Sequence, residues 1–255
     1  MRILVFSSLY PNARQPLHGV FVENRLRHLV ASGAVTARIV APVPWFPFAI
    51  ARFGAYGVYA QVPRWEERHG LIVEHSRYPV IPKIGMSLAP FLMFRALLPV
   101  LRRSIARGDD FDLIDAHYFY PDGVAATMLA RALGKPVVVT ARGNDVSLIP
   151  DHAIPRRLIQ WAAARADALV TVCQALKDGL VSLGVAPGRV TVLRNGVDLQ
   201  VFRPVDRAEA RARFAVAPPT IASVGHLIPR KGHDLVIRAL AHLPGTTLLL
   251  AGAFL

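Results

Sequence analysis

Residues 112–133, DLIDAHYFYPDGVAATMLARAL, decide the fold class because the pattern changes within them. Asp112 to Ala116 reads as a short buried strand, and Asp122 to Leu133 as a helix. The turn between them carries His117, aromatics, Pro121 and Asp122. The same unit recurs along the chain. Arg2 to Ser8, Val35 to Ala41, Leu71 to His75, Pro136 to Ala141, Asp167 to Val172 and Val190 to Leu193 read as strands. Gly19 to Ser32, Pro155 to Arg165 and Cys173 to Leu183 read as helices between them. Short apolar strands separated by helices predict a parallel sheet covered on both faces.

Two segments depart from this rhythm. Pro42 to Arg68 is rich in Pro, Gly and aromatics, including Phe46, Pro47 and Phe53, and reads as a long loop. It is either functional or an apolar cluster beneath a surface loop. Gly85 to Arg107 reads as a mostly apolar helix with basic residues towards its end, bent by Pro90 and Pro99. It suits a crossover helix on the sheet rather better than an interfacial helix touching lipid. Val197 to Pro204 reads as a linker. A fresh unit follows: a charged helix at Arg207 to Phe214, a strand at Thr220 to Val224, a helix at Asp234 to Leu243 and a strand at Thr246 to Ala251. The expected division is a Rossmann-like domain at 1–200, then a linker and an incomplete second domain at 201–255.

Composition narrows the class. With 53% hydrophobic and 18% charged residues, the chain is globular. No apolar run reaches the roughly 18 residues of a spanning helix. The N-terminus suits a first core strand better than a signal peptide. The single cysteine, Cys173, excludes an intrachain disulfide framework. A net charge of +13 favours polyanionic partners. The arginines are scattered, with no compact basic arm. They point to an anionic membrane surface or phosphate-bearing ligands and not to nucleic acid.

In open α/β sheets ligands bind beyond the carboxyl ends of the strands. The polar residues predicted there are Gly19 at the first helix start, His117, and Arg142 and Asp145 in the loop after Pro136 to Ala141. Gly19 lets backbone N–H groups approach an anion. A neutral His117 can donate a hydrogen bond to a substrate hydroxyl. Arg142 and Asp145 suit a polar ligand, and Asp145 equally suits a helix start. Asn195-Gly196 makes a turn before the linker. Arg230 and Lys231, after Gly225-His226, lie on a loop well placed for a pyrophosphate. Neither GxGxxG nor GxxxxGK[ST] occurs, so a dinucleotide oxidoreductase and a P-loop lack support.

Taken together, these stretches resemble family 4 retaining glycosyltransferases of the GT-B fold, especially bacterial enzymes building exopolysaccharide or lipid-linked glycans. The likeness rests on Leu9-Tyr10-Pro11…His18-Gly19-Val20-Phe21-Val22, Asp115-Ala116-His117 and Thr140-Ala141-Arg142-Gly143-Asn144-Asp145. It also rests on Asn195-Gly196-Val197-Asp198…Phe202-x-Pro204 and Gly225…Arg230-Lys231-Gly232-x-Asp234. The resemblance implies two Rossmann-like domains facing a cleft, with a glycan or polyprenyl-linked acceptor on the first and a nucleotide-diphosphate sugar on the second. It implies no cofactor and no obligatory metal. His117 would contact the transferred sugar as the catalytic residue, Gly19 would lie by the donor phosphates, and Lys231 would hold the pyrophosphate. His226 replaces a usual Arg, Asn144 replaces a common Thr, and the donor-binding Glu-x7-Glu is absent. Little or no transferase activity is therefore expected of this chain alone. The alternative is a non-catalytic acceptor- or membrane-binding module. The expected location is the cytoplasm, peripheral on the inner face of the plasma membrane.

Overall fold

The computed structural model describes residues 1–45, 54–80 and 85–252. Phe46, Pro47 and Phe53 of the aromatic segment, and the terminal 253–255, lie outside these. The chain divides into two compact units, Met1–Gly196 and Val197–Leu255.

The first unit contains strands β1 (Arg2–Phe6), β2 (Thr36–Val40), β3 (Val43–Trp45), β4 (Trp65–Arg68), β5 (Leu71–Glu74), β6 (Arg77–Pro79), β7 (Leu113–His117), β8 (Val137–Ala141), β9 (Ala168–Thr171) and β10 (Val190–Val192). Its helices are α1 (Val20–Ala31), α2 (Ala55–Ala60), α3 (Gly85–Ala106), α4 (Val124–Leu133), α5 (Asn144–Ser147), α6 (Ala153–Arg165) and α7 (Gln174–Ser182). Eight strands form one sheet in the order β10-β9-β8-β7-β1-β2-β5-β4. Every pair is parallel except β4 with β5 at the edge. The sheet is therefore the doubly wound α/β type. Strand order reverses between β1 and β7, which opens a crevice at their carboxyl ends.

Period-2 alternation explains the two-sided core. Leu4 and Phe6 pack on one face of β1 with Met93, Leu97, Leu129 and Ile159. Ile3 and Val5 pack on the other with Val22, Leu26 and Ile39 of α1 and β2. Because both faces are buried, β1 reads as a continuous apolar run. Each such side chain contributes about 1.5–3 kcal/mol on burial.

Helix α3, 22 residues long, is apolar enough to cross a membrane by length and composition. It instead buries Pro90, Met93, Leu97 and Leu101 as one stripe against the core. The spacing of three and four residues is that of an amphipathic crossover helix. Both prolines lie inside it, Pro90 on the buried face and Pro99 exposed.

The segment from Pro42 to Arg68 is not wholly a loop. Its described residues hold β3, α2 and β4. The reason is non-local: β3 pairs in parallel with β6, Val43 against Arg77 and Trp45 against Pro79. Prolines at 44 and 79 lack an N–H, which confines such a pair to a small separate sheet. Local pattern cannot reveal a partner that arrives 34 residues later.

The second unit contains α8 (Arg207–Phe214), β11 (Thr220–Val224), α9 (His233–Ala239) and β12 (Thr247–Ala251), with β11 and β12 parallel. The Asp206 carboxylate caps α8 by accepting from the Ala208 and Glu209 N–H groups.

Asp122, fully buried after β7, ties the two central loops together. Its Oδ1 accepts from the Ser8 N–H at 2.7 Å, and its Oδ2 meets the Ser8 hydroxyl at 2.8 Å. Burial pushes its pKa up from 3.8 to about 7, against the Ser8 bonds that favour ionisation. A raised folded pKa means the native state holds a proton that the unfolded chain has lost. The Asp122 contribution to stability is thus full below pH 3.8 and lost as pH rises to about 7. The Asp122→Asn variant keeps the Ser8 bonds without titrating. Its melting temperature relative to wild type should rise between pH 5 and pH 8. A difference constant with pH would show that Asp122 is ionised throughout.

Candidate active site

The β1 and β7 loops meet at the crevice. The Ser7 hydroxyl donates to the His117 carbonyl at 3.0 Å, beside the Ser8–Asp122 pair. Gly19 ends the β1 loop at φ +70°, and a Cβ there would stand 2.2 Å from the Leu9 carbonyl oxygen. Only glycine fits both the left-handed backbone and that approach. The loop can therefore fold back on itself and deliver α1 at the crevice.

His117 is the last residue of β7 and only 2% exposed, so it does not face open solvent as its strand-end position suggests. Arg142 brings a guanidinium nitrogen to 2.9 Å from Nδ1. Asp115 Oδ2 lies 3.3 Å from Nε2. Arg25 reaches the same carboxylate oxygen at 3.3 Å and Nε2 at 3.2 Å. A guanidinium only donates and a carboxylate only accepts, so Arg142 makes Nδ1 the accepting nitrogen and the Nε2 proton points to Asp115; Arg25 then pairs with the Asp115 carboxylate and lies beside Nε2 without donating to it. Burial lowers the His117 pKa. Asp115 opposes this, and Arg142 and Arg25 reinforce it, so the ring is neutral. Burial alone would raise the Asp115 pKa, but His117, Arg25 and Arg142 outweigh it and hold it at about 2.

Arg142 is anchored on three sides. Its guanidinium lies 5.3 Å from the Phe21 ring centroid and donates to Asn195 Oδ1 at 2.8 Å, besides facing His117. Burial, then Arg25, lowers its pKa to about 10, which leaves it charged at neutral pH. Two buried atoms here lack hydrogen-bond partners among the described residues: Arg142 Nε and Asp115 Oδ1.

Asp145 fits the second of its two expected readings, a carboxylate at a helix start. It is fully buried, and its carboxylate accepts from the Phe119 N–H at 2.6 Å, Gly143 at 2.6 Å and Arg142 at 3.1 Å. Its work is to fold the 142–145 turn that presents Arg142. Arg25 and Asp115, to which sequence reasoning gave no role, complete the cluster. Arg25 lies three residues after Val22 on the flank of the buried stripe of α1, an ion at the edge of an apolar face.

His226, Arg230 and Lys231 belong to the second unit and are exposed. They follow β11 on a turn closed by Gly232 at φ +68°. His233 is buried beneath them, with Nε2 3.2 Å from the His226 carbonyl and Nδ1 2.8 Å from the Ser223 hydroxyl. A Cβ at Gly225 would meet the Lys231 side chain at 3.6 Å, so the lysine stem lies over the end of β11. Among the described residues no group of His, Cys, Asp and Glu could hold a metal ion.

The doubly wound sheet, with a second strand–helix–strand unit after it, is of the GT-B type. The chain belongs to Glycosyltransferase Family 4, which its residues 19–201 match. It is 32% identical over 155 residues to a D-inositol 3-phosphate glycosyltransferase of Mycobacterium ulcerans, an alignment covering 56% of this chain and 33% of the relative. A protein of the same description from Mycobacteroides abscessus is 33% identical over 153 residues, covering 56% and 34%. The chain thus spans about a third of the length of these relatives. Among solved structures, Anabaena HepE in complex with UDP is similar at TM-score 0.61 and 21% identity, covering 100% of this chain and 62% of that one. Sucrose-phosphate synthase from Thermosynechococcus elongatus is similar at TM-score 0.67 and 15% identity, covering 98% and 62%.

Because Asp115 opposes the lowering of the His117 pKa, Asp115→Asn should lower it further. The His117 ring signals in an NMR pH titration measure this directly. A titration unchanged from wild type would show that the carboxylate does not govern the ring.

Proposed function

We propose that this chain carries the acceptor-side domain, and the beginning of the donor-side domain, of a transferase. The enzyme moves a sugar from a nucleoside-diphosphate donor to a glycan or lipid-linked acceptor, with retention at the anomeric carbon and no obligatory metal. One observation carries the reading. A neutral imidazole is clamped between two guanidiniums at the switch point of a parallel sheet, beside a buried carboxylate oxygen and a guanidine nitrogen that still lack partners. Those spare groups suit a ligand rich in hydroxyls and phosphates.

In the reaction the bond from the anomeric carbon to the diphosphate oxygen breaks, and its electron pair leaves with the diphosphate. The acceptor hydroxyl forms the new carbon–oxygen bond, and its proton passes to the departing diphosphate oxygen. Cations preplaced where negative charge develops lower the barrier. On this reading Arg142 and Arg25 meet an anion first, and Arg142 turning towards it uncovers His117 Nδ1. Arg230 and Lys231 take the pyrophosphate, with His226 beside them. Asn195 holds Arg142 in place, and Gly19 lets the first loop come close. The names of the mycobacterial relatives support glycosyl transfer, and the UDP bound to HepE supports a nucleotide-sugar donor.

On this reading the protein works in the cytoplasm, peripheral on the inner face of the plasma membrane. The outward side of α3 supports this: Leu88 and Phe91 are each 40% exposed, and Arg95, Arg102 and Arg103 follow on the same helix. A non-catalytic module docking on anionic lipid would use the same surface.

Calorimetric titration with UDP and GDP, beside sedimentation with anionic liposomes, separates the two. Lys231→Ala should weaken diphosphate binding about tenfold or more, as expected for a lost charge-assisted contact. Wild-type affinity in that variant removes the phosphate role of Lys231. Liposome binding without any diphosphate binding in the wild type favours the module.

A further inference from the structure

In the second unit His233 is only 8% exposed, although it follows the exposed Arg230 and Lys231 and opens α9. Its ring bridges two segments. Nδ1 lies 2.8 Å from the hydroxyl of Ser223 on β11, and Nε2 lies 3.2 Å from the His226 carbonyl in the loop that follows. A carbonyl only accepts, so the ring proton that meets it is on Nε2. Nδ1 then takes the Ser223 hydroxyl proton, and both nitrogens of the buried ring have partners.

The His226 carbonyl is the point at which this ring steers the loop. It accepts from the Ile228 N–H at 2.9 Å as well as from His233. The Ile228 carbonyl accepts in turn from the Lys231 N–H at 3.0 Å, and the Pro229 carbonyl from the Gly232 N–H at 3.0 Å. A relay of hydrogen bonds therefore runs from the His233 ring, through the 226–228 backbone, to the residue that bears the lysine. The start of the loop is tied separately, by the Gly225 N–H donating to the Ala251 carbonyl at the end of β12 at 2.9 Å. A turn carrying two adjacent cations is thus held at its base by the strand ends and from beneath by one imidazole.

We infer that His233 is a positioning residue for diphosphate binding: its Nε2–H fixes the His226 carbonyl, and through it the turn that presents Arg230 and Lys231. The inference rests on the diphosphate reading of those two cations given above. His233 acts through the loop, so replacing it changes how well the turn is ordered before binding and leaves the number of cations the same.

The test compares two substitutions in the whole chain. His233→Gln keeps an amide N–H close to where Nε2 stands, whereas His233→Asn keeps a polar group only near the Nδ1 position, beside Ser223. In calorimetric titrations, UDP affinity should stay within about twofold of wild type in His233→Gln and fall about fivefold or more in His233→Asn, where the turn must be ordered on binding. Amide exchange at Ile228 and Lys231 should quicken in His233→Asn and not in His233→Gln. A merely structural role would lower both melting temperatures and leave the two UDP affinities equal, which overturns the assignment. Unchanged exchange at both amides in His233→Asn overturns it as well. The wild type decides even if neither variant folds: nitrogen NMR of the His233 ring should show a proton on Nε2, and a ring protonated on Nδ1 alone overturns the assignment. The exchange measurement needs no ligand, which keeps the two readings apart. Quickened exchange in His233→Asn with no UDP binding in the wild type sinks the diphosphate reading and spares the fixing of the loop by His233. UDP binding with unchanged exchange does the opposite.

Discussion

The parallel register of β1 on β7, Ile3 against Leu113 through Phe6 against Ala116, joins segments 110 residues apart and places both carboxyl ends at one crevice. Everything polar in the first unit depends on that pairing. Ser7 and Ser8 reach the His117 carbonyl and the Asp122 carboxylate only because the two strands end side by side. Gly19 then lets the β1 loop fold against Leu9, so α1 arrives with Arg25 facing Asp115. A shift of one residue in β1 would exchange Leu4 and Phe6 with Ile3 and Val5 across the sheet and pull the serines from their partners.

Three aspartates near this crevice meet the cost of burial in three ways. Asp145 is solvated by backbone N–H groups, which replace water and fix a turn. Asp122 has one serine residue for company and is held towards its protonated form. Asp115 stays ionised because two guanidiniums and an imidazole surround it. Of the three, only Asp115 has an oxygen with no hydrogen-bond partner among the described residues, Oδ1. A bare buried ion would cost several kcal/mol, so spare capacity of this kind is rare in a settled core. That contrast separates the residues that build the crevice from those that can serve it.

The parts of this arrangement legible in the sequence are those written locally. β1, β7 and β8 appear as apolar runs, and α3 appears through its spacing. His117 and Arg142 were found because strand ends can be located from the pattern of β7 and β8 alone. The missing parts depend on partners distant in sequence. β3 exists because β6 pairs with it, and a run of Val-Pro-Trp gives no sign of that. Arg25 is an ordinary helix arginine until Asp115, 90 residues on, is brought beneath it. Asp145 stays open in the sequence for a different reason. A carboxylate at a helix start is equally good at binding a ligand or at folding its own loop, and only the three N–H donors decide.

The net charge of +13 takes on meaning through its distribution. Arginines stand at the crevice and on the outer side of α3, and are not gathered into one basic arm. Uniform surface charge would raise solubility and attract polyanions without discrimination. Cations held at the crevice, where Arg25 and Arg142 flank the buried His117, do something narrower: they favour anions that also satisfy the buried groups beside them. Specificity of this kind comes from what the wrong ligand leaves unpaired, more than from any single strong contact with the right one.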